Sequence, residues 1–259
     1  MKVHLGCLHH SFYEVAARVV AAEIEAAGHE VVLHQGAHAE LYPRLAAGDL
    51  QFMIASWLPH LHQPFYEPVQ DKLALITPVF DGGGGFWAVP ACVPADAVGT
   101  VADLAKPEVA EHMDRGILAP RGAIAICDRA EVCMDAYGLS DAGYTFTRLD
   151  GDEEWSEGVK AKCADGIWFT TTLWQPHFLN TVVEMRRLDE PEAHMGGPDT
   201  AWLSANKAFA DTAPADLMAA FERIRIGLSG ITEMDVLVNV EGLTPTDAAQ
   251  RWRADRADG

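Results

Sequence analysis

Short apolar runs alternate with longer amphipathic stretches along nearly the whole chain, and this alternation constrains the fold more than any other feature. It is the signature of strands and helices taking turns in an α/β protein. Residues 3–7 read as a strand and 12–27 as a helix, with Val15, Val19, Ala22 and Ala26 at helical spacing and Gly28 as its stop. A strand at 30–34, a short helix at 39–47 closed by Gly48, and a strand at 50–54 that delivers Trp57 complete the first group. Two more strands, 73–77 and 86–90, flank Asp81-Gly82-Gly83-Gly84-Gly85. No Lys-Ser/Thr follows these glycines, so they read as a crossover and not as a phosphate loop. A second series then begins, with helices at 101–112, 123–137 and 153–163. Strands at 116–119, 144–149, 167–171 and 184–188 alternate with them, the third delivering Trp174. The remainder reads as mainly helical, including 214–228 and a last helix with Thr244 as N-cap and Pro245 in its first turn. The two series predict two α/β lobes.

A length of 259 residues allows either one large domain or two lobes. The 38 acidic residues against 19 basic ones give a formal charge of −19, which repels nucleic acid and anionic lipid and fits solubility or a salty medium. No run approaches the roughly 18 to 20 apolar residues that span a bilayer. The opening Met1-Lys2-Val3-His4-Leu5-Gly6 reads as a strand and not as a leader, so the protein is expected to be cytoplasmic or to have had a leader removed. Five cysteines, Cys7, Cys92, Cys127, Cys133 and Cys163, include no CxxC. They are expected to be mostly free thiols, with room for one long-range pair.

Two segments carry the chemistry. Trp57-Leu58-Pro59-His60-Leu61-His62 is echoed by Trp174-Gln175-Pro176-His177-Phe178, each placing an indole, a proline and an imidazole after a short apolar run. Aromatic walls at two strand ends point to a cleft for a cation that hydrogen bonds cannot satisfy, each contact contributing roughly 0.5 to 2 kcal/mol when desolvated. The competing reading makes these tryptophans ordinary core residues. Trp87 is a weaker candidate, and Trp155, Trp168, Trp202 and Trp252 read as packing residues. His10 and Phe12, with Tyr13, follow the first strand, where a two-lobed α/β protein places ligand-facing residues. The eleven histidines include no HExxH and no structural-zinc spacing, so no metal is expected. Asp152-Glu153-Glu154 reads as a solvated helix start, and no nucleophile elbow is present. No catalytic constellation and no cofactor are expected.

In this order and spacing the motifs resemble a family: the substrate-binding proteins of ABC importers for glycine betaine, proline betaine, choline and related osmolytes. Ala27-Gly28-His29-Glu30-Val31, Leu45-Ala46-Ala47-Gly48-Asp49-Leu50, Gly85-Phe86-Trp87-Ala88-Val89-Pro90, Thr100-Val101-Ala102-Asp103-Leu104 and Asn206-Lys207-Ala208-Phe209 match family segments, alongside the two tryptophan motifs. The resemblance implies a type II periplasmic-binding-protein clamshell with its ligand cleft between lobes comprising residues 1–85 with 189–259, and 86–188. It implies that Trp57 and Trp174 supply cage walls, and that His60 or His62 offers an imidazole to a ligand carboxylate. One departure stands out. The loop Ala119-Pro120-Arg121-Gly122-Ala123-Ile124 lacks the aromatic that many members carry there, so Trp87, Phe12, Tyr13 or Phe178 is expected to close the cage, or the ligand differs. Arg121 is a candidate for binding a carboxylate, because its planar fork suits a bidentate partner.

The leading expectation is therefore a non-enzymatic, monomeric receptor, periplasmic or extracytoplasmic, that closes over a zwitterionic osmolyte and passes it to the membrane permease and ATPase subunits of an ABC importer. The alternatives are the same receptor for choline, carnitine, a sulfonium compound or an amino acid, or an enzyme on the same scaffold using His60, His177 or Cys7.

Overall fold

The computed structural model describes residues 1–257 and divides into two compact α/β units, residues 1–83 with 198–257 and residues 84–197. In chain order the first unit begins with β1 (Lys2–Leu8), α1 (Ser11–Ala26), β2 (Glu30–Gly36), α2 (His38–Ala47), β3 (Phe52–Leu58) and the single-turn α3 (Gln63–Tyr66). Phe12, Val15, Val19 and Val20 face inward on α1, and Gly48, at φ 88°, closes α2 in the left-handed conformation that glycine adopts without cost.

The strand β4 (Leu73–Pro90) then runs unbroken through the glycines that the sequence reads as a gap between two strands. Glycines have low strand propensity, but here the ladder absorbs them through a register shift between Phe80 and Gly83, with Gly82 at φ 79°, after two earlier shifts between Leu75 and Thr77 and between Pro78 and Phe80. Gly85 is closely packed by side chains. A Cβ there would lie 3.2 Å from Met195 Cε and 3.4 Å from Ile126.

The second unit continues with α4 (Pro107–Ala110), β5 (Gly116–Pro120), α5 (Ile124–Ala136), β6 (Thr145–Leu149), α6 (Asp152–Ala164), β7 (Thr171–Gln175), α7 (Leu179–Val182) and β8 (Met185–Arg187). The helix expected at 101–112 is broken. A short 3-10 helix, Val101–Ala105, capped by the Thr100 hydroxyl, ends where Pro107 forces Lys106 into an extended conformation. The strand expected at 167–171 begins only at Thr171, so Trp174 lies inside β7 and not beyond it; Trp57 is likewise inside β3. Antiparallel to the later part of β4 run β7 and β8, while β5 and β6 form a parallel pair.

The chain returns to the first unit as β9 (Asp199–Asn206), followed by α8 (Lys207–Ala210), α9 (Ala215–Phe221), α10 (Gly227–Asn239) and α11 (Pro245–Ala257). The sequence places no strand here, because Ser204, Ala205 and Asn206 carry little strand propensity. Yet β9 is central: the first unit's sheet runs β2-β1-β3-β9-β4, with β1 parallel to its neighbours and β9 antiparallel to both β3 and β4. The helix expected at 214–228 stops at Phe221, and α10 starts at Gly227, whose φ of 72° interrupts regular helix. Thr244 caps α11 as expected, accepting from Asp247 N at 3.1 Å. All five cysteines are free thiols, so the long-range pair does not form. No helix among the described residues is long and apolar enough to cross a membrane.

Candidate functional site

Each unit gathers the aromatic and imidazole rings of one tryptophan motif into a cluster. In the first unit Trp57, 1 % exposed on β3, lies 5.9 Å from Phe12, 5.9 Å from Tyr13, 5.9 Å from His62 and 5.2 Å from Phe80, ring centre to ring centre. Phe12 and Tyr13 come from the first turn of α1, and His10, at its N-cap position, stacks on Phe12 at 5.4 Å. Strand β3 thus brings Trp57 against the start of α1 because β1 and β3 are parallel neighbours in the sheet.

His62 is the structural pivot of this cluster. Its Nδ1 lies 3.1 Å from both Trp57 N and Ala55 O, and its Nε2 lies 2.9 Å from His38 Nε2 and 3.4 Å from the Tyr13 hydroxyl. Two imidazole nitrogens at 2.9 Å share a single proton, so one ring donates and the other accepts. Burial drives both rings toward the neutral form: His62 falls well below its ordinary value, helped by the neighbouring His38, and His38 falls to about 4 through burial and then the nearby His10. The His38 ring also stacks on Phe65 at 4.7 Å. Burial in the same pocket pushes the Tyr13 phenol well above its usual range. His60, in the turn after β3, is anchored through its backbone: His60 N donates to Asp199 Oδ1 at 2.6 Å and Leu61 N to Asp199 Oδ2 at 2.9 Å.

In the second unit Trp174, also 1 % exposed, is stacked on Trp155 at 5.1 Å with the rings 9° from parallel, and the edge of His177 meets it at 4.5 Å. Phe178 lies 4.7 Å from His177, with the Lys160 ammonium 5.3 Å above its own ring. Trp155, which the sequence assigns to packing, is fixed at the start of α6 by donating from Nε1 to Leu118 O at 3.1 Å and to Thr171 Oγ1 at 3.3 Å. At 5.1 Å the two indoles touch each other, so no trimethylammonium group fits between them and Trp155 acts as the backing of Trp174. His177 Nδ1 accepts from Leu179 N at 3.2 Å and so starts α7. The two motifs share one more feature: the Leu58-Pro59 and Gln175-Pro176 bonds are both cis.

The structure thus brings together Trp57, Phe12, His10 and His62 in one unit, and Trp174 with His177 in the other. Trp87 is fully buried on β4, its carbonyl accepting from Leu188 N at 2.9 Å. Arg121 sits in the loop between β5 and α5, 63 % exposed, with Nε 2.6 Å from Asp150 Oδ1. Sequence reasoning missed Trp155, His38, Phe65 and Phe80, whose places in these clusters depend on strand order and not on any local signal. Chemically, both clusters offer π faces and imidazoles, those of His38 and His62 held neutral by burial. The thiol of Cys7, buried and donating to Leu8 O at 3.3 Å, is pushed far up and held away from the nucleophilic thiolate. Among the described residues no group of three or more His, Cys, Asp or Glu side chains is arranged to hold a metal ion.

A family model described as the substrate binding domain of ABC-type glycine betaine transport systems matches residues 2–255. Among solved structures, the chain superposes on lactococcal OpuAC in its closed-liganded conformation with glycine betaine, at a TM-score of 0.87 and 17% identity over 99% of this chain and 96% of that one. It also superposes on the glycine/betaine/L-proline-binding protein ProX of Borrelia burgdorferi, at 0.85 and 18% identity over 97% and 92%. These likenesses establish the fold, that of two-lobed α/β periplasmic binding proteins. In sequence the chain is 31% identical over 134 residues to the trimethylamine N-oxide-binding protein of Pelagibacter ubique strain HTCC1062, a match covering 47% of this chain and 42% of that relative. The match therefore spans less than half the length of the curated relative.

Proposed function

Because this chain belongs to the family of substrate-binding domains of ABC-type glycine betaine transport systems, we propose that it is the receptor for a small, fully methylated ammonium osmolyte, held against the π faces of Trp57 and Trp174. It is a binding protein of a transport system and not an enzyme. The observation that carries the reading is that each unit holds its own tryptophan cluster, an indole buttressed by further rings and by an imidazole. A quaternary ammonium has no N–H to donate, so burying it among rings leaves no hydrogen bond unmet. A primary ammonium leaves unmet hydrogen bonds there and is rejected. His10, Phe12, His60, His62 and His177 belong to this proposed site, as direct contacts or as supports of the two indoles. Arg121 remains a proposed carboxylate contact that exchanges Asp150 for ligand. On this reading the protein works outside the cytoplasm and delivers its ligand to the permease and ATPase subunits of the importer.

A second reading changes the ligand to trimethylamine N-oxide. It rests on the 31% identity to a protein named for binding that compound, and on the neutral His38 and His62 rings of the first cluster. An N-oxide oxygen is a compact acceptor that a single imidazole N–H or backbone amide satisfies, whereas a carboxylate favours a cation.

Calorimetric titration of ligand-stripped protein with glycine betaine, trimethylamine N-oxide, choline, glycine and proline tests both. Saturable one-to-one binding is expected for a methylated ligand and none for glycine. Trp57→Ala and Trp174→Ala are each expected to weaken it by about 2 kcal/mol or more, roughly thirtyfold. The stronger of the first two ligands decides between the readings, and silence from every methylated compound overturns both.

A further inference from the structure

In a chain of net charge −19, four arginines line one cavity of about 610 Å3 in the first unit. Arg223 and Arg225 come from the segment between α9 and α10, Arg253 and Arg256 from α11, with Glu23 of α1 and the ring of Trp252 beside them. A single carboxylate serves two of the four: Arg223 Nε donates to Glu23 Oε2 at 3.1 Å and Arg253 Nη2 to Glu23 Oε1 at 2.7 Å. Arg256 pairs with Glu233 at 3.1 Å and lies 4.1 Å above the Trp252 ring. Arg225 donates to the carbonyl of Ile224 at 2.6 Å and pairs with no carboxylate among the described residues. Four guanidiniums thus share two carboxylates, Glu23 in the lining and Glu233 beyond it, which leaves an excess of two positive charges at one concavity of a strongly acidic protein.

Like charges held this close repel one another, and the repulsion is relieved by an anion that enters the cavity. The volume falls within the roughly 300 to 1,000 Å3 typical of small-molecule sites. Guanidinium forks match phosphate and carboxylate oxygens in pairs, and the indole with its stacked Arg256 supplies a flat wall for the body of an organic anion. The whole-chain charge opposes docking onto an anionic membrane or a nucleic acid. A small ion inside the cavity responds mainly to charges within the Debye length, about 8 Å at physiological ionic strength. We propose that this cavity binds a small doubly charged oxyanion of the phosphate monoester or dicarboxylate class, at a site separate from the tryptophan clusters.

The test is calorimetric titration of the full chain with inorganic phosphate and with succinate, against sodium chloride of matched ionic strength. Saturable one-to-one binding is expected for at least one of the two anions. Arg225→Gln, which removes the guanidinium without a carboxylate partner, is expected to weaken it at least tenfold, while Arg225→Lys retains part of it and Trp174→Ala leaves it unchanged. Heats no larger than the chloride control, or equal binding by wild type and Arg225→Gln, overturn the proposal. Loss in Trp174→Ala would also overturn it, by moving the anion to the osmolyte site.

Discussion

His62 shows how a residue chosen for one role can be held in another. The family resemblance marks it, with His60, as a partner for a ligand carboxylate, yet all four of its near polar neighbours are groups of the protein itself. The pair it forms with His38 gives the first unit a defined acid sensitivity. His38 is held at about 4 in the folded protein, against about 6.5 for a free imidazole, because burial disfavours its charged form. The folded state therefore binds fewer protons than the unfolded one between these values. Above about pH 6.5 the ring is neutral in both states and costs nothing. As the pH falls from about 6.5 to about 4, its contribution turns unfavourable by roughly 3 kcal/mol. Urea unfolding of wild type and His38→Gln across that window is expected to show a shallower pH slope for the variant; parallel slopes would show that His38 is not the responsible group. Trp57 and Trp174 are legible as site candidates because each carries its proline and histidine in an unbroken string. His38 and Trp155 are not, since His38 lies 24 positions before its partner His62 and Trp155 lies 19 before Trp174.

At the scale of elements, β9 matters most and is least legible. Its alternation is blurred at the C-terminal end, where Ala201, Leu203, Ser204, Ala205 and Asn206 are all buried, so neither a two-residue period nor a helical one emerges. By contrast β1, α1, α2, α5 and α6 are read almost to the residue, because a glycine, a cap or a clean apolar stripe marks their ends. The first residue of β9, Asp199, is 1 % exposed and ties two backbone amides of the turn that follows Trp57. A carboxylate in that position accepts twice, whereas an amide side chain presents one acceptor and one donor to the same two N–H groups. Asp199→Asn is therefore expected to cost about 1–3 kcal/mol, read as a fall of several degrees in Tm. A variant that melts with wild type would show that the turn holds without this carboxylate. The same change is expected to weaken osmolyte binding, since it loosens the backbone between Pro59 and His62.

For the molecule as a whole, the periodicity of apolar runs is enough to reveal two α/β series, and the acidic excess is enough to set nucleic acid aside. The two units differ in how they are strung on the chain. Residues 84–197 form the second unit without interruption, while the first is assembled from 1–83 and 198–257. Expressed alone, residues 84–197 are expected to melt cooperatively. Residues 1–83 are expected not to, because β3 and β4 meet only through β9 and would leave two open strand edges in the middle of a sheet. A cooperative melt of 1–83, or none for 84–197, would contradict this division. The same arrangement fixes an order of events at the ribosome. The 115 residues between positions 83 and 199 take roughly 6 to 23 s to make at 5–20 residues per second, during which β3 and β4 have no strand to join them. The unit that begins the chain is thus the last to close, and its bare edges must be kept from neighbouring nascent chains until β9 arrives.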